Sequence, residues 1–288
     1  MNVGFTPSFG GGSSLSQWRV LQNNLDRQID AFRDNPVVQR DIAYVRENLA
    51  DVKTPDDLLG DYRLYSFAMK AYGLESQIFA RGLMDKVLSE PLEEPESTVN
   101  QLIDSKFREI AAGFRFNSEF GPPRTADPGF AEELIRRFTQ NQFEAATEDA
   151  NPAIRLALYF ERKAPEITDV YEILADKALG RVARGIAGLS EQTVNMDIDA
   201  QAKLLEDRLN LEDFRDPDKL AKMIDTFLVR SDIANGPTGV NAAGAGGGVS
   251  TPGLAPITAG VGGGLLGPPP VQGISGQTLL AASTLPRF

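Results

Sequence analysis

The chain has 288 residues, 42% of them hydrophobic and 24% charged, enough to bury one or two cores of ordinary size. Its 40 acidic and 29 basic residues leave a net charge of −11, which disfavours nucleic acid and anionic lipid as partners, because neutralising phosphates requires a basic surface. Cysteine and histidine are both absent, which removes thiol nucleophiles, disulfides, imidazole bases and every zinc site built on those residues.

No apolar run reaches the roughly 20 residues of a membrane span, and Met1 to Pro7 lack the charged and apolar regions of a Sec signal peptide. Residues 1–14 are rich in Gly, Ser and Pro and read as a flexible leader. A first helix is expected from Ser14 or Ser16, carrying Trp18, Leu21, Leu25, Ile29 and Phe32 as one apolar stripe at near-heptad spacing. That stripe is the candidate partner-binding element, in competition with simple packing on the protein's own body; a homo-oligomer is among the assemblies it allows.

Asn35-Pro36 is a cap followed by proline at the first helical position, and opens a helix over 36–50. Thr54-Pro55-Asp56-Asp57 opens a short one ending near Gly60, and Asp61 restarts a helix that stops at Gly73. Further helices are predicted over 75–89 and 96–112, the second after Glu93-Glu94-Pro95-Glu96-Ser97. Phe67, Tyr72 and Phe79 sit at helical spacing and read as core. Residues 113–129 form a Gly/Pro-rich connector that Phe114, Phe116 and Phe120 should pin. Phe130 to about Asp149 reads as a long amphipathic helix burying Leu134, Phe138 and Phe143.

From Asn151 the punctuation recurs. Asn151-Pro152 repeats Asn35-Pro36, Ile173-Leu174-Ala175-Asp176 repeats Leu58-Leu59-Gly60-Asp61, and Ile186-Ala187-Gly188-Leu189 repeats Ala71-Tyr72-Gly73-Leu74. The expected architecture is all-α, with two diverged copies of a helical unit, 15–112 and 130–232, packed together. Residues 233–288 read as a disordered tail, since 233–286 lack any charged side chain and hold 14 of the 27 glycines.

Motifs for chemistry are few. Asp197-Ile198-Asp199 and the Glu93, Glu94, Glu96 group lack the spacing of a Ca²⁺ loop and read as helix starts, and the glycine runs lack the Lys-Ser/Thr of a phosphate loop. No catalytic, cofactor or metal residue is assigned, and a non-enzymatic protein is expected.

The stretch Lys53 to Glu75, above all Asp56-Asp57-Leu58-Leu59 and Ala68-Met69-Lys70-Ala71-Tyr72-Gly73-Leu74, resembles the domain of unknown function family 1217, over about residues 15–232. That family is bacterial, mainly alphaproteobacterial, and encoded beside flagellar genes. The resemblance implies a motility-linked structural or accessory protein with flagellar proteins as partners, and it carries no catalytic residues. A polar leader without a Sec signal and an absence of cysteine fit export through the flagellar type III channel to the cell exterior. Flagellar axial proteins carry apolar heptads at both ends, whereas only the Trp18 helix qualifies here, which favours an accessory component over a rod, hook or filament subunit. The alternative is a cytoplasmic adaptor or export chaperone. A carboxylate-dependent cell-wall hydrolase ranks third and requires a cleft with two close acids, one of raised pKa.

Overall fold

Helices begin where a side-chain oxygen can satisfy the N–H groups that a first turn leaves unpaired. The structure, a computed structural model, describes residues 5–117 and 122–235, and among them every regular element is helical. The first half holds α1 (Ser14–Gln22), α2 (Leu25–Arg33), α3 (Pro36–Asn48), α4 (Pro55–Gly60), α5 (Tyr62–Ala71), α6 (Arg81–Ser89), α7 (Thr98–Gln101) and α8 (Ser105–Phe114). The second holds α9 (Pro128–Ala146), α10 (Pro152–Lys163), α11 (Val170–Ala175), α12 (Lys177–Ala187), α13 (Ile198–Glu206) and α14 (Pro217–Asn235). The expected all-α class is correct. The predicted tail beyond Asn235, the connector's Phe120 and the first four residues lie outside the described residues.

Several predicted helices are shorter than their apolar periodicity suggests. The Trp18 helix breaks at Asn23 and Asn24, where the Asn24 side-chain amide donates to the Val20 carbonyl at 2.9 Å and competes with the helical ladder. The expected 75–89 helix is a single tight turn, Glu75–Gln77, followed by α6. The expected 96–112 helix splits into α7 and α8, because Asp104 starts a new helix by accepting from the Lys106 N–H at 3.0 Å. Phe114 closes α8 instead of opening the connector and is fully buried, while Phe116 is half-buried against it.

The leader is likewise not loose over its described part. Phe5 meets Phe32 edge-on with ring centres 5.4 Å apart, Phe9 is buried, and Ser8 and Gln28 exchange two hydrogen bonds of 2.9 and 2.8 Å. Two phenylalanines outweigh a composition that otherwise favours disorder.

A single hydrophobic cluster extends from Phe9 to Leu228, and the described residues form one compact unit. The helices that lead into each half are exchanged: α1 packs on α14 and α10 of the second half, and α9 packs chiefly on α5 and also on α3 of the first. Phe67 of α5 stacks on Phe138 of α9 at 3.9 Å. The expected boundaries at 15–112 and 130–232 therefore do not divide the core.

Local structure recurs between the halves. Asn35 accepts from the Val37 N–H at 2.9 Å, and Asn151 from the Ala153 N–H at 3.0 Å. The Tyr44 hydroxyl donates to Asp61 at 2.7 Å and the Tyr159 hydroxyl to Asp176 at 2.6 Å, each aspartate capping the next helix. Gly73 and Gly188 take left-handed φ of 69° and 66°, and the next residue's N–H turns back to Met69 or Arg184.

Candidate functional site

The Trp18 stripe finds its partner within the chain. Trp18, Leu21 and Phe32 are buried, so they offer no surface to another protein. Leu25 and Ile29 are half-buried and form part of the wall of a cleft. Phe79, expected in the core, is 90% exposed, because the turn before α6 lifts it out of the helical register that would have buried it.

The cleft holds about 700 Å³ between α2, α9 and α10, with Glu109 of α8 on its edge. Helical spacing explains how α9 supplies Arg137, Gln140 and Glu144, which lie three and four residues apart on one face. From α10, Leu158, Glu161 and Arg162 face the same space. Leu25, Ile29, Phe143 and Leu158 supply the apolar part of the wall, and Arg136, Lys163 and Glu166 add further charge.

Most of the charges are committed to one another. Arg162 forms a fork on buried Glu144, Nε and Nη2 each 2.9 Å from a different carboxylate oxygen, and also donates to the Asn141 Oδ1 at 2.7 Å. Glu109 accepts from Lys163 at 2.9 Å and from Arg137 at 3.3 Å. Glu161 and Arg136 have no ion-pair partner among the described residues. Glu161 accepts from Gln22 Nε2 at 2.9 Å, but burial, and then the nearby Glu144 charge, push its carboxyl above the usual glutamate range. Chemically, the cleft therefore offers one carboxyl that holds its proton more tightly than usual, beside a second acid immobilised by arginine.

Sequence reading missed this cluster, whose members come from four helices with no local spacing in common. The one available signal was charge on an apolar face: Glu161 and Arg162 directly follow Phe160, and Glu144 follows Phe143. Asp197 does start a helix, accepting from the Asp199 N–H at 2.9 Å, and Glu93, Glu94 and Glu96 lie in the turn before α7. Among the described residues no three acidic side chains are grouped to hold a metal ion, and no helix is long and apolar enough to cross a membrane.

A comparison with curated proteins gives no match. Among solved structures, the chain is similar to the crystal structure of protein AGR_C_984 from Agrobacterium tumefaciens, a structural genomics target, with 32% identity and a TM-score of 0.70 over 80% of this chain and 99% of that one. A family model described as "Protein of unknown function (DUF1217)" matches residues 71–220. The match begins at Ala71, so it includes Ala71-Tyr72-Gly73-Leu74 but not Lys53 to Lys70. It spans more than half of the chain, and with the likeness in fold it shows that the chain belongs to that family.

Proposed function

We propose that this protein is a non-enzymatic structural or accessory component of the bacterial flagellum that acts by binding other proteins. The flagellar part of the proposal rests on the family resemblance and on the absence of cysteine from the chain. The binding part is supported by one observation: large apolar side chains stand exposed at the corresponding turn of each half, Phe79 before α6 and Val194, Met196 and Ile198 before and at the start of α13. Exposed apolar residues clustered in this way are common at protein interfaces. The halves are, on this proposal, diverged copies of one unit, a reading supported by the recurring Asn caps, Tyr-Asp bonds and left-handed glycines. Deleting the gene should impair swimming, and the protein should be found in purified flagella. Normal swimming with a strictly cytosolic protein would overturn the proposal. Fractionating wild-type and export-deficient cells tests the alternative, a cytoplasmic adaptor or chaperone, since only an exported component leaves the extracellular fraction of the second strain.

One observation favours a second reading, a carboxylate-dependent hydrolase acting on cell-wall glycan: Glu161, with its raised carboxyl, stands near Glu144 in an open cleft. Against it, the Arg162 fork occupies both Glu144 oxygens. Glycan turnover by the purified protein, abolished by Glu161→Gln, would establish this reading; no turnover by the wild type would remove it.

A further inference from the structure

Four large apolar side chains stand exposed where α11 meets α13 in the second half: Tyr171 on α11, Val194 and Met196 in the turn before α13, and Ile198 at its start. They are 45%, 45%, 44% and 51% exposed, whereas most other large apolar residues among the described ones are buried. Hydrogen bonds tie these segments together. Gln201 Nε2 donates to the Met196 carbonyl at 2.9 Å and the Val194 carbonyl at 3.4 Å, and the Tyr171 hydroxyl donates to Asp199 Oδ1 at 2.8 Å, tying α11 to α13.

The rim of this face is acidic. Asp169, Asp197, Asp199 and Glu206 are all exposed, and none has an ion-pair partner among the described residues. Three of them, Asp199, Glu206 and Asp169, act on the Tyr171 phenol, whose pKa is raised first by the Asp199 hydrogen bond, then by desolvation, and then by the three charges. Nearby cations are few. Arg184 lies 3.4 Å and Arg181 4.0 Å from Glu191, which leaves Lys203, one turn after Asp199, as the cation on α13.

We infer that the face formed by Tyr171, Val194, Met196 and Ile198 is a docking site for a basic amphipathic helix of a partner protein, apolar on one side and lined with lysine or arginine on its flanks. The charge chooses the occupant. A second copy of this chain, itself at −11, would be repelled by the rim, as would an anionic membrane surface. A helix with a basic flank gains at each of the four acids and buries its apolar side on the four exposed residues. Tyrosine and methionine suit the role, the first as a rigid amphipathic anchor and the second as an adaptable thioether. This assignment rests on the protein-binding reading proposed above and adds to it the surface and the chemistry of the partner.

The test is titration of the full-length protein into a labelled, designed Leu/Lys amphipathic peptide of about 18 residues, followed by fluorescence anisotropy. Binding should weaken about tenfold or more in the double variant Met196→Ser, Ile198→Ser, whose far-UV spectrum should match the wild type. It should weaken severalfold in Glu206→Gln and as salt rises from about 50 to about 500 mM. Phe79→Ser, at the corresponding turn of the first half, should bind as wild type does. Absence of binding, equal binding of a Leu/Glu peptide, or equal loss in Phe79→Ser would overturn the docking site. The same double variant, assayed for swimming, separates this inference from the flagellar one: loss of peptide binding with normal swimming upholds the site and counts against a motility role.

Discussion

Gly113 has no room for a side chain. A Cβ there would fall inside the Tyr72 hydroxyl and 2.9 Å from Cζ of the same ring. Tyr72 is held between the Arg137 guanidinium, 5.0 Å from its centre, and Phe114. Its hydroxyl is buried without a hydrogen-bond partner among the described residues, and burial pushes the phenol up to about 12. Gly113→Ala should therefore destabilise the protein by about 1–3 kcal/mol in denaturant titration, although alanine is the better helix former. Tyr72→Phe should cost almost nothing, since it removes an unsatisfied group, and should reduce the Gly113→Ala penalty when the two are combined. Glycine at 113 carried no signal in the sequence, because the ring that needs its space comes from Tyr72, in the turn that ends α5.

Glu161 allows a prediction about pH at the same scale. Its folded carboxyl is raised above the unfolded value, mainly by burial, so the native state binds a proton more tightly. Stability from this group is fully present at acid pH and falls as pH rises through the raised folded value. The groups facing it are Glu144 on α9, which raises it, and Gln22 at the end of α1, whose hydrogen bond lowers it. Glu161→Gln should be more stable than wild type near pH 7. The gap should close below the ordinary glutamate range, which melting curves across that interval would measure.

At the scale of elements, the two asparagine caps separate what is legible in sequence from what is not. Asn35-Pro36 and Asn151-Pro152 were both readable as helix starts, and both are. Their surroundings were not readable. Asn151 is fully buried, and its amide nitrogen donates to Ser14 Oγ at 2.9 Å and Gln17 Oε1 at 2.7 Å, while Ser14 donates to Asp232 on α14. The same cap thus starts α10 and fastens α1 and α14 around it. Asn35→Ala should cost about 1 kcal/mol, the ordinary worth of a cap. Asn151→Ala should cost about 3 kcal/mol, because it also strands buried polar groups. Equal losses on denaturation would show that the network adds nothing.

The Tyr-Asp pairs follow the same pattern. Asp61 and Asp176 each cap a helix and accept a tyrosine hydroxyl, but Asp176 is buried and also holds Lys106 of α8 at 2.7 Å, linking α8 to α12. Burial opposes the Asp176 charge, yet the Lys106 ammonium, with hydrogen bonds from Lys106, Tyr159 and the Leu179 N–H, holds its carboxyl below the usual range. A depressed acid stabilises the fold above its unfolded pKa and loses that contribution as pH falls through the folded one. Asp176→Asn should destabilise by about 3 kcal/mol at neutral pH, leaving Lys106 with a weaker partner, and the difference should shrink in strong acid.

At the scale of the molecule, the sequence indicated two halves but not their exchange of lead helices. An amphipathic face specifies that it must be covered, not by which neighbour; the Trp18 stripe would suit either half or a partner protein. In the fold α1 lies on α14 and α10, with Ser14 beside Asp232 and Arg19 3.6 Å from Asp225, so the two helices run antiparallel. Trp18, the chain's one tryptophan, is 5% exposed and therefore reports on the second half from within the first. Burial of Trp18 and Leu21 contributes about 2 kcal/mol each, and α9 contributes to the first half in the same way through Phe138 and Leu134. Neither half can then lose its fold without uncovering the other's lead helix. Urea unfolding followed by Trp18 fluorescence and by far-UV circular dichroism should give superimposable single transitions. Deleting residues 1–24 should lower the midpoint for the whole chain, not for one part of it. Two separated transitions, or a loss of helix confined to about half of the signal, would mean that the halves fold independently despite the exchange.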